Sequence, residues 1–157
     1  MDRREFEQLY IDLYPGLYRL AQSIVHHPAD AQDAVQQSAV SAWAAADRIR
    51  EGGEKAYITR IVINECRNIQ RHRHRVTPID EPWDSETGNP PDTELKAVVE
   101  SLPETLRIPL LLRYMEGYSE KDTAAILRMT RNTLRARLKR ARATLRDEWI
   151  EMQEEAL

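Results

Sequence analysis

Residues 119–146, SEKDTAAILRMTRNTLRARLKRARATLR, are the stretch whose reading decides the fold. Ser119 followed three residues later by Asp122 is a capping-box-like helix start. The hydroxyl accepts an orphan backbone N–H, and the acid suits the positive helix end. Ala124, Ala125, Ile126 and Leu127 supply the apolar side of a short helix. Arg128-Met129-Thr130 leaves room only for a tight connection, and Thr130 is a good N-cap for a second helix. Leu134, Leu138, Ala141 and Leu145 recur at four-three-four spacing and therefore share one helix face. Arg131, Asn132, Thr133, Arg135, Arg137, Lys139, Arg140 and Arg142 cover the other faces. The pattern predicts a helix-turn-helix, whose second helix enters the major groove of DNA.

A basic amphipathic helix is often no more than a solvated face. Two features point further here. One is the turn-linked partner helix. The other is the trio Arg131, Asn132 and Thr133 at the start of the second helix, where base edges are contacted. Arg pairs bidentately with guanine and Asn with adenine. Many such turns contain Gly, whereas this one has Arg128, so the backbone must bend without the residue that bends most easily.

The 157 residues have room for one ordinary domain or two small helical ones. Eight Pro and five Gly fall mostly between periodic stretches, and no sustained alternation of strand type occurs, so an all-α fold is expected. The net charge of −3 hides an uneven distribution. Residues 105–146 hold eleven Lys and Arg against three Asp and Glu, and residues 51–75 hold six against three. Between them, residues 76–104 hold one against eight. Two basic blocks matter more than the mean when the partner is a polyphosphate. The single Cys66 excludes an internal disulfide and fits a reducing compartment. Set among Ile61, Val62 and Ile69, it reads as a buried, inert thiol. The charged N-terminus lacks a signal-peptide pattern and no apolar run reaches bilayer length, so a cytoplasmic protein without membrane insertion is expected.

Outward from the helix-turn-helix, residues 5–25 carry Phe6, Leu9, Tyr10, Leu13, Tyr14, Leu17, Leu20, Ala21 and Ile24 at helical spacing, with Pro15-Gly16 expected to kink or reset the helix. After His26-His27-Pro28, a second helix spans residues 30–46. Ala31, Ala34, Val35, Ala39, Ala42 and Trp43 share its inner side, and Asp30, Asp33, Gln36, Gln37 and Ser41 point outward. A loop over residues 47–54 leads to a third helix, residues 55 to about 74, with Ile58, Ile61, Val62, Cys66 and Ile69 inward. Its opposite face presents Arg60, Asn64, Arg67, Asn68 and Arg71, a cationic strip with two amides. The stretch 76–92 is rich in Pro and acid and reads as a linker, with Trp83 its one large apolar residue. The expected organisation is a first domain over 1–75, the linker 76–92, and a helix-turn-helix domain over 93–157 with an acidic tail. In the second domain Leu95, Val98, Val99 and Leu102 precede Pro103, which opens a helix with the stripe Leu106, Leu110, Leu111 and Tyr114, ended by Gly117.

Signatures of chemistry are weak. No phosphate loop, nucleophile elbow or metalloprotease motif occurs. His26-His27 and His72-x-His74 have poor ligand geometry and no thiolates beside them, so no metal or other cofactor is expected. The Asp30–Gln37 face has no adjacent His or Lys for acid–base work and suits protein contact better. Two basic helices on two joined domains suggest contact with two DNA segments at once, the first engagement raising the effective concentration for the second.

Together, FEQLY with LYRLA, DAQDAVQQ with Trp43, the AYITRIVINECRN helix, LPETLRIPLLLRYMEGYSEKDTAAIL and LRARLKRARATL resemble bacterial RNA polymerase sigma factors of the extracytoplasmic-function class. The resemblance implies two helical domains, no catalytic activity, and three partners: core RNA polymerase, promoter DNA as duplex and as melted single strand, and an anti-sigma factor. It implies that Asp30, Asp33, Gln36 and Gln37 bind polymerase, although Gln32, Gln37 and Ala39 depart from the family pattern. Arg60, Asn64, Arg67, Asn68 and Arg71 correspond to the helix reading the minus-ten element. The loop 47–54 corresponds to the one that captures a flipped base, and Tyr57 stands where Trp is common. Arg131, Asn132, Thr133, Arg135 and Arg137 correspond to the reader of the minus-thirty-five element.

The main rival is a stand-alone helix-turn-helix regulator, which predicts operator binding by the free protein, usually as a dimer. An enzyme using the Asp30 face is a third reading, and it requires a perturbed carboxylate in a pocket.

Overall fold

A computed structural model describes residues 2–76 and 93–155, and every regular element among them is helical. The chain divides into two compact units, residues 1–85 and 86–157.

Three long helices form the first unit: α1 (Arg3–Val25), α2 (Pro28–Ala44) and α3 (Glu54–Val76). Asp2 and Glu5 start α1 as a reciprocal capping box, the Asp2 carboxylate accepting from the Glu5 amide at 2.8 Å. His26, in the left-handed region at φ 56°, ends it, and the Gln70 amide donates to the Ile24 carbonyl at 2.8 Å. The core joins Phe6, Leu17, Leu20 and Ile24 of α1 to Ala31, Ala34 and Val35 of α2 and Ile58, Val62 and Cys66 of α3. Burying each large aliphatic chain contributes about 1.5–3 kcal/mol. The alanines of α2 let the three backbones approach closely.

Several expectations need correction. Of the kink or reset expected at Pro15-Gly16, the reset does not occur: α1 runs through both residues. Pro15 is exposed, as is Ile11 one turn earlier, so water can satisfy the carbonyl that loses its partner. Trp43, expected on the inner side, is 44% exposed; its ring packs edge-on against Phe6, centroids 5.2 Å apart. On α3, Ile61 and Ile69 are only partly buried, while Thr59 and Ile63 are fully covered. A helix wedged between two others buries a broader face than a single stripe predicts. Between α2 and α3, a 3₁₀ turn (Ala46–Arg48) and Gly52 at φ 84° bring the chain round.

The second unit contains α4 (Thr93–Ser101), α5 (Glu104–Leu110), α6 (Glu120–Leu127) and α7 (Arg131–Glu155). Leu102, Leu106, Leu110, Ala124, Leu134, Leu138 and Ala141 form its core. The stripe predicted through Leu111 and Tyr114 fails: Tyr114 is 56% exposed, and Leu112 is buried instead. After α5 the chain widens into a π turn (Leu111–Met115), with the Glu116 amide bonded to the Leu111 carbonyl at 2.9 Å, and the wider turn shifts the inward register. Gly117, at φ 73°, then turns the chain toward α6. The acidic tail beyond Asp147 continues α7 to Glu155. Residues 77–92 of the predicted linker, with Trp83 and all of its acids, lie outside the described residues.

Candidate nucleic-acid interface

The turn between α6 and α7 is built from backbone satisfaction. Ser119 Oγ accepts from the Asp122 amide at 3.0 Å and starts α6. Arg128 stops it in the left-handed region, φ 54° and ψ 47°, where its N–H reaches the α6 carbonyls of Ala124 and Ala125. The Met129 amide also bonds Ala124, at 3.0 Å. Arg128 therefore performs the turn usually given to Gly. Thr130 then caps α7: its Oγ1 accepts from the Thr133 amide at 3.1 Å and donates to Thr133 Oγ1 at 2.9 Å. Leu134, Leu138 and Ala141 are buried, which fixes the rotation of α7 about its axis.

That rotation leaves Arg131, Asn132, Thr133 and Arg135 exposed and Arg137 partly buried. Two of them share a partner that sequence reasoning missed. Glu120, the first residue of α6, accepts from Arg131 Nε at 3.2 Å and Arg135 Nε at 2.7 Å. Burial alone would raise the Glu120 carboxyl, but Arg135 and Arg131 outweigh it and hold it below the usual carboxylate value. The only signal in the sequence was an acid opening the helix before a basic one, and α6 and the turn separate the partners. Further along, Arg142 donates to the Tyr114 hydroxyl at 2.7 Å.

In the first unit, α3 presents Asn64, Arg67, Asn68 and Arg71 exposed and Arg60 partly buried. Arg71 donates to the Asn68 side-chain oxygen, joining an amide and a cation on one strip. On the neighbouring helix Asp33, Gln36 and Gln37 are exposed, and with Val40, Glu65 and Ile69 they line an open groove of about 480 Å³. Asp30 departs from its expected outward position. Its side chain is 13% exposed, because α3 brings Arg73 to it as an ion pair, and His27 Nδ1 lies 3.8 Å away. Among the described residues, no three His, Cys, Asp or Glu side chains group as a metal site.

Residues 9–76 match the family described as Sigma-70 region 2, and residues 92–145 match Sigma-70, region 4. The chain is 31% identical to the ECF RNA polymerase sigma factor SigM of Mycobacterium tuberculosis, over 92% of this chain and 76% of that protein. This chain belongs to the ECF RNA polymerase sigma factors. The RNA polymerase sigma-E factor of Streptomyces coelicolor is 30% identical, over 93% of this chain and 86% of that one. Among solved structures, the sigma factor RpoE of Bartonella quintana, in complex with the anti-sigma factor NepR, is similar with a TM-score of 0.76 and 26% identity, over 92% of this chain and 96% of that one. CnrH, in complex with the cytosolic domain of CnrY, shares the fold with a TM-score of 0.74 and 24% identity, over 96% of this chain and 90% of that one. As a sigma factor, the protein directs transcription initiation; proteins of this family are not generally enzymes. No helix of the described residues is long and apolar enough to cross a membrane.

Proposed function

We propose how the two units divide the work of this sigma factor. The unit containing α1–α3, assigned residues 1–75, engages core RNA polymerase through the α2 face of Asp30, Asp33, Gln36 and Gln37. The groove that Asp33, Gln36 and Gln37 share with Val40 and Ile69 supports this, since an apolar floor ringed by amides and acids suits a partner helix. The α3 strip of Arg60, Asn64, Arg67, Asn68 and Arg71 holds the melted minus-ten strand. Guanidinium and amide groups serve phosphates and unpaired base edges there. The unit assigned residues 93–157 reads the minus-thirty-five duplex with the N-terminal turns of α7, and residues 76–92 join the two.

The observation that carries this reading is the start of α7. Burial of Leu134 and Leu138 turns Arg131, Asn132, Thr133 and Arg135 outward together, at the end of a helix that a tight turn sets against α6. The protein acts by binding, without catalytic residues or cofactor, in the bacterial cytoplasm. An anti-sigma factor is its regulator, in line with the complex of the similar sigma factor RpoE with the anti-sigma factor NepR.

A pull-down of the purified chain with core RNA polymerase, followed by transcription from a promoter library, tests the proposal. New sequence-dependent start sites are expected, lost on Arg135→Ala together with Asn132→Ala. Specific duplex binding by the free chain with no polymerase association would overturn it in favour of a stand-alone regulator.

A further inference from the structure

Two of the cations assigned to duplex reading are already paired within the protein itself. Arg131 and Arg135 stand one turn apart on α7 with 57% and 59% of their side chains exposed, yet both converge on Glu120. That carboxylate is 25% exposed and opens α6, where the helix dipole favours a negative charge. We propose that Glu120 is a positioning residue for promoter discrimination: it reserves Arg131 and Arg135 for base edges and keeps them from acting as non-specific phosphate binders. The inference rests on the assignment of α7 as the duplex reader.

Three physical points carry it. First, Glu120 grips each guanidinium through Nε. These contacts are made at the Nε of each arginine, and the terminal Nη edge of a guanidinium offers a bidentate match to guanine. A planar fork held at one edge points its other edge in a fixed direction, so less rotamer freedom is lost when it meets a base. Second, the carboxylate reduces the cluster from two positive charges to one. Non-specific affinity comes from phosphates neutralised by Lys and Arg, so this term falls most for DNA that offers no base contact. Third, a carboxylate beside the reading helix repels phosphates that approach in a wrong register, which is discrimination by an unfavourable contact. The Glu120 carboxyl, held below its usual value by the same two arginines, stays charged throughout the neutral range.

The test uses the full chain assembled with core polymerase. Duplex binding is measured over a range of salt, on a promoter selected from the library and on the same promoter with its minus-thirty-five block scrambled. Glu120→Gln keeps the shape and removes the charge. It should tighten binding to the scrambled duplex by about fivefold, as expected for one unit charge acting through a largely aqueous medium. Binding to the intact promoter should change by much less, so the ratio between the two falls. The salt slope on scrambled DNA should steepen by about one counterion, and Glu120→Asp, which keeps the charge, should leave that slope unchanged. Arg135→Ala separates the two levels of inference. If it leaves binding to both duplexes unaltered, the assignment of α7 fails. If it weakens promoter binding while Glu120→Gln alters neither the ratio nor the slope, the assignment stands and the role of Glu120 is overturned.

Discussion

Arg107 Nη1 donates to the Leu102 carbonyl at 2.9 Å, and the same nitrogen reaches the Glu100 carbonyl at 3.1 Å. A nearly buried guanidinium thus closes the end of α4, where helix carbonyls lose their partners. Burial pushes its pKa down, countered by Glu104 and Glu100. Arg107→Ala should destabilise the chain by about 2–3 kcal/mol in urea unfolding, since it strands two carbonyls whose partner was charged. Arg107→Lys should recover only part of this, because an ammonium lacks the planar fork.

Arg128 holds a left-handed backbone that costs a non-glycine residue about 1 kcal/mol. Arg128→Gly should raise stability by roughly 0.5 kcal/mol, the greater freedom of Gly in the unfolded chain offsetting the rest. Arg128→Val, β-branched and unable to take that conformation without strain, should lower it. Thermal unfolding of the free chain decides both.

Tyr10 donates its phenol to the Val35 carbonyl, tying α1 to α2. Burial, with Tyr14 adding to it, raises its pKa well above the ordinary value. A raised folded-state pKa means that this contribution is complete below the unfolded value of 10.0 and is lost as pH climbs through the folded one. Tyr10 should therefore resist alkaline titration until the unit unfolds. Tyr10→Phe should abolish that signal and cost about 1 kcal/mol.

Glu120 titrates with the opposite sign. Its folded pKa is depressed, so the favourable pairing is present above the ordinary carboxylate value and disappears as pH falls through the folded one. In Arg135→Ala the carboxyl should titrate at higher pH, which the Glu120 side-chain carbon resonance in a pH series reports directly. An unchanged midpoint would show that Arg135 does not hold the carboxylate in solution.

On the proposed polymerase face, Val40 and Asp30 should behave differently. Val40 is 63% exposed and its loss leaves no core cavity, so Val40→Asp should weaken polymerase binding with thermal stability unchanged. Asp30→Ala breaks the ion pair with Arg73 and should also lower stability, by about 1–2 kcal/mol given its partial burial.

The helix-turn-helix was legible because its information is local. Ser119 and Thr130 act through bonds to amides three residues on, and the spacing of Leu134, Leu138 and Ala141 marks one face of a single helix, so they read the same in sequence as in space. The cationic strip of α3 was legible for the same reason, being one face of one helix. The resemblance to sigma factors added the division of roles, which no single periodicity carries.

Whatever depended on a second helix was not legible. Linear spacing gave no sign that Glu120 meets Arg131 and Arg135, or that Arg73 draws in Asp30, because helix packing brings those partners together. Tyr114 misled for a related reason: a π turn changes the period on which the stripe was counted. The sequence by itself determined which segments are helical and which of their faces are apolar, since propensity, capping and periodicity act over one or two turns. Only the tertiary structure decided which exposed charges stand free and which are already paired, since that depends on distances between helices that the order of residues does not contain.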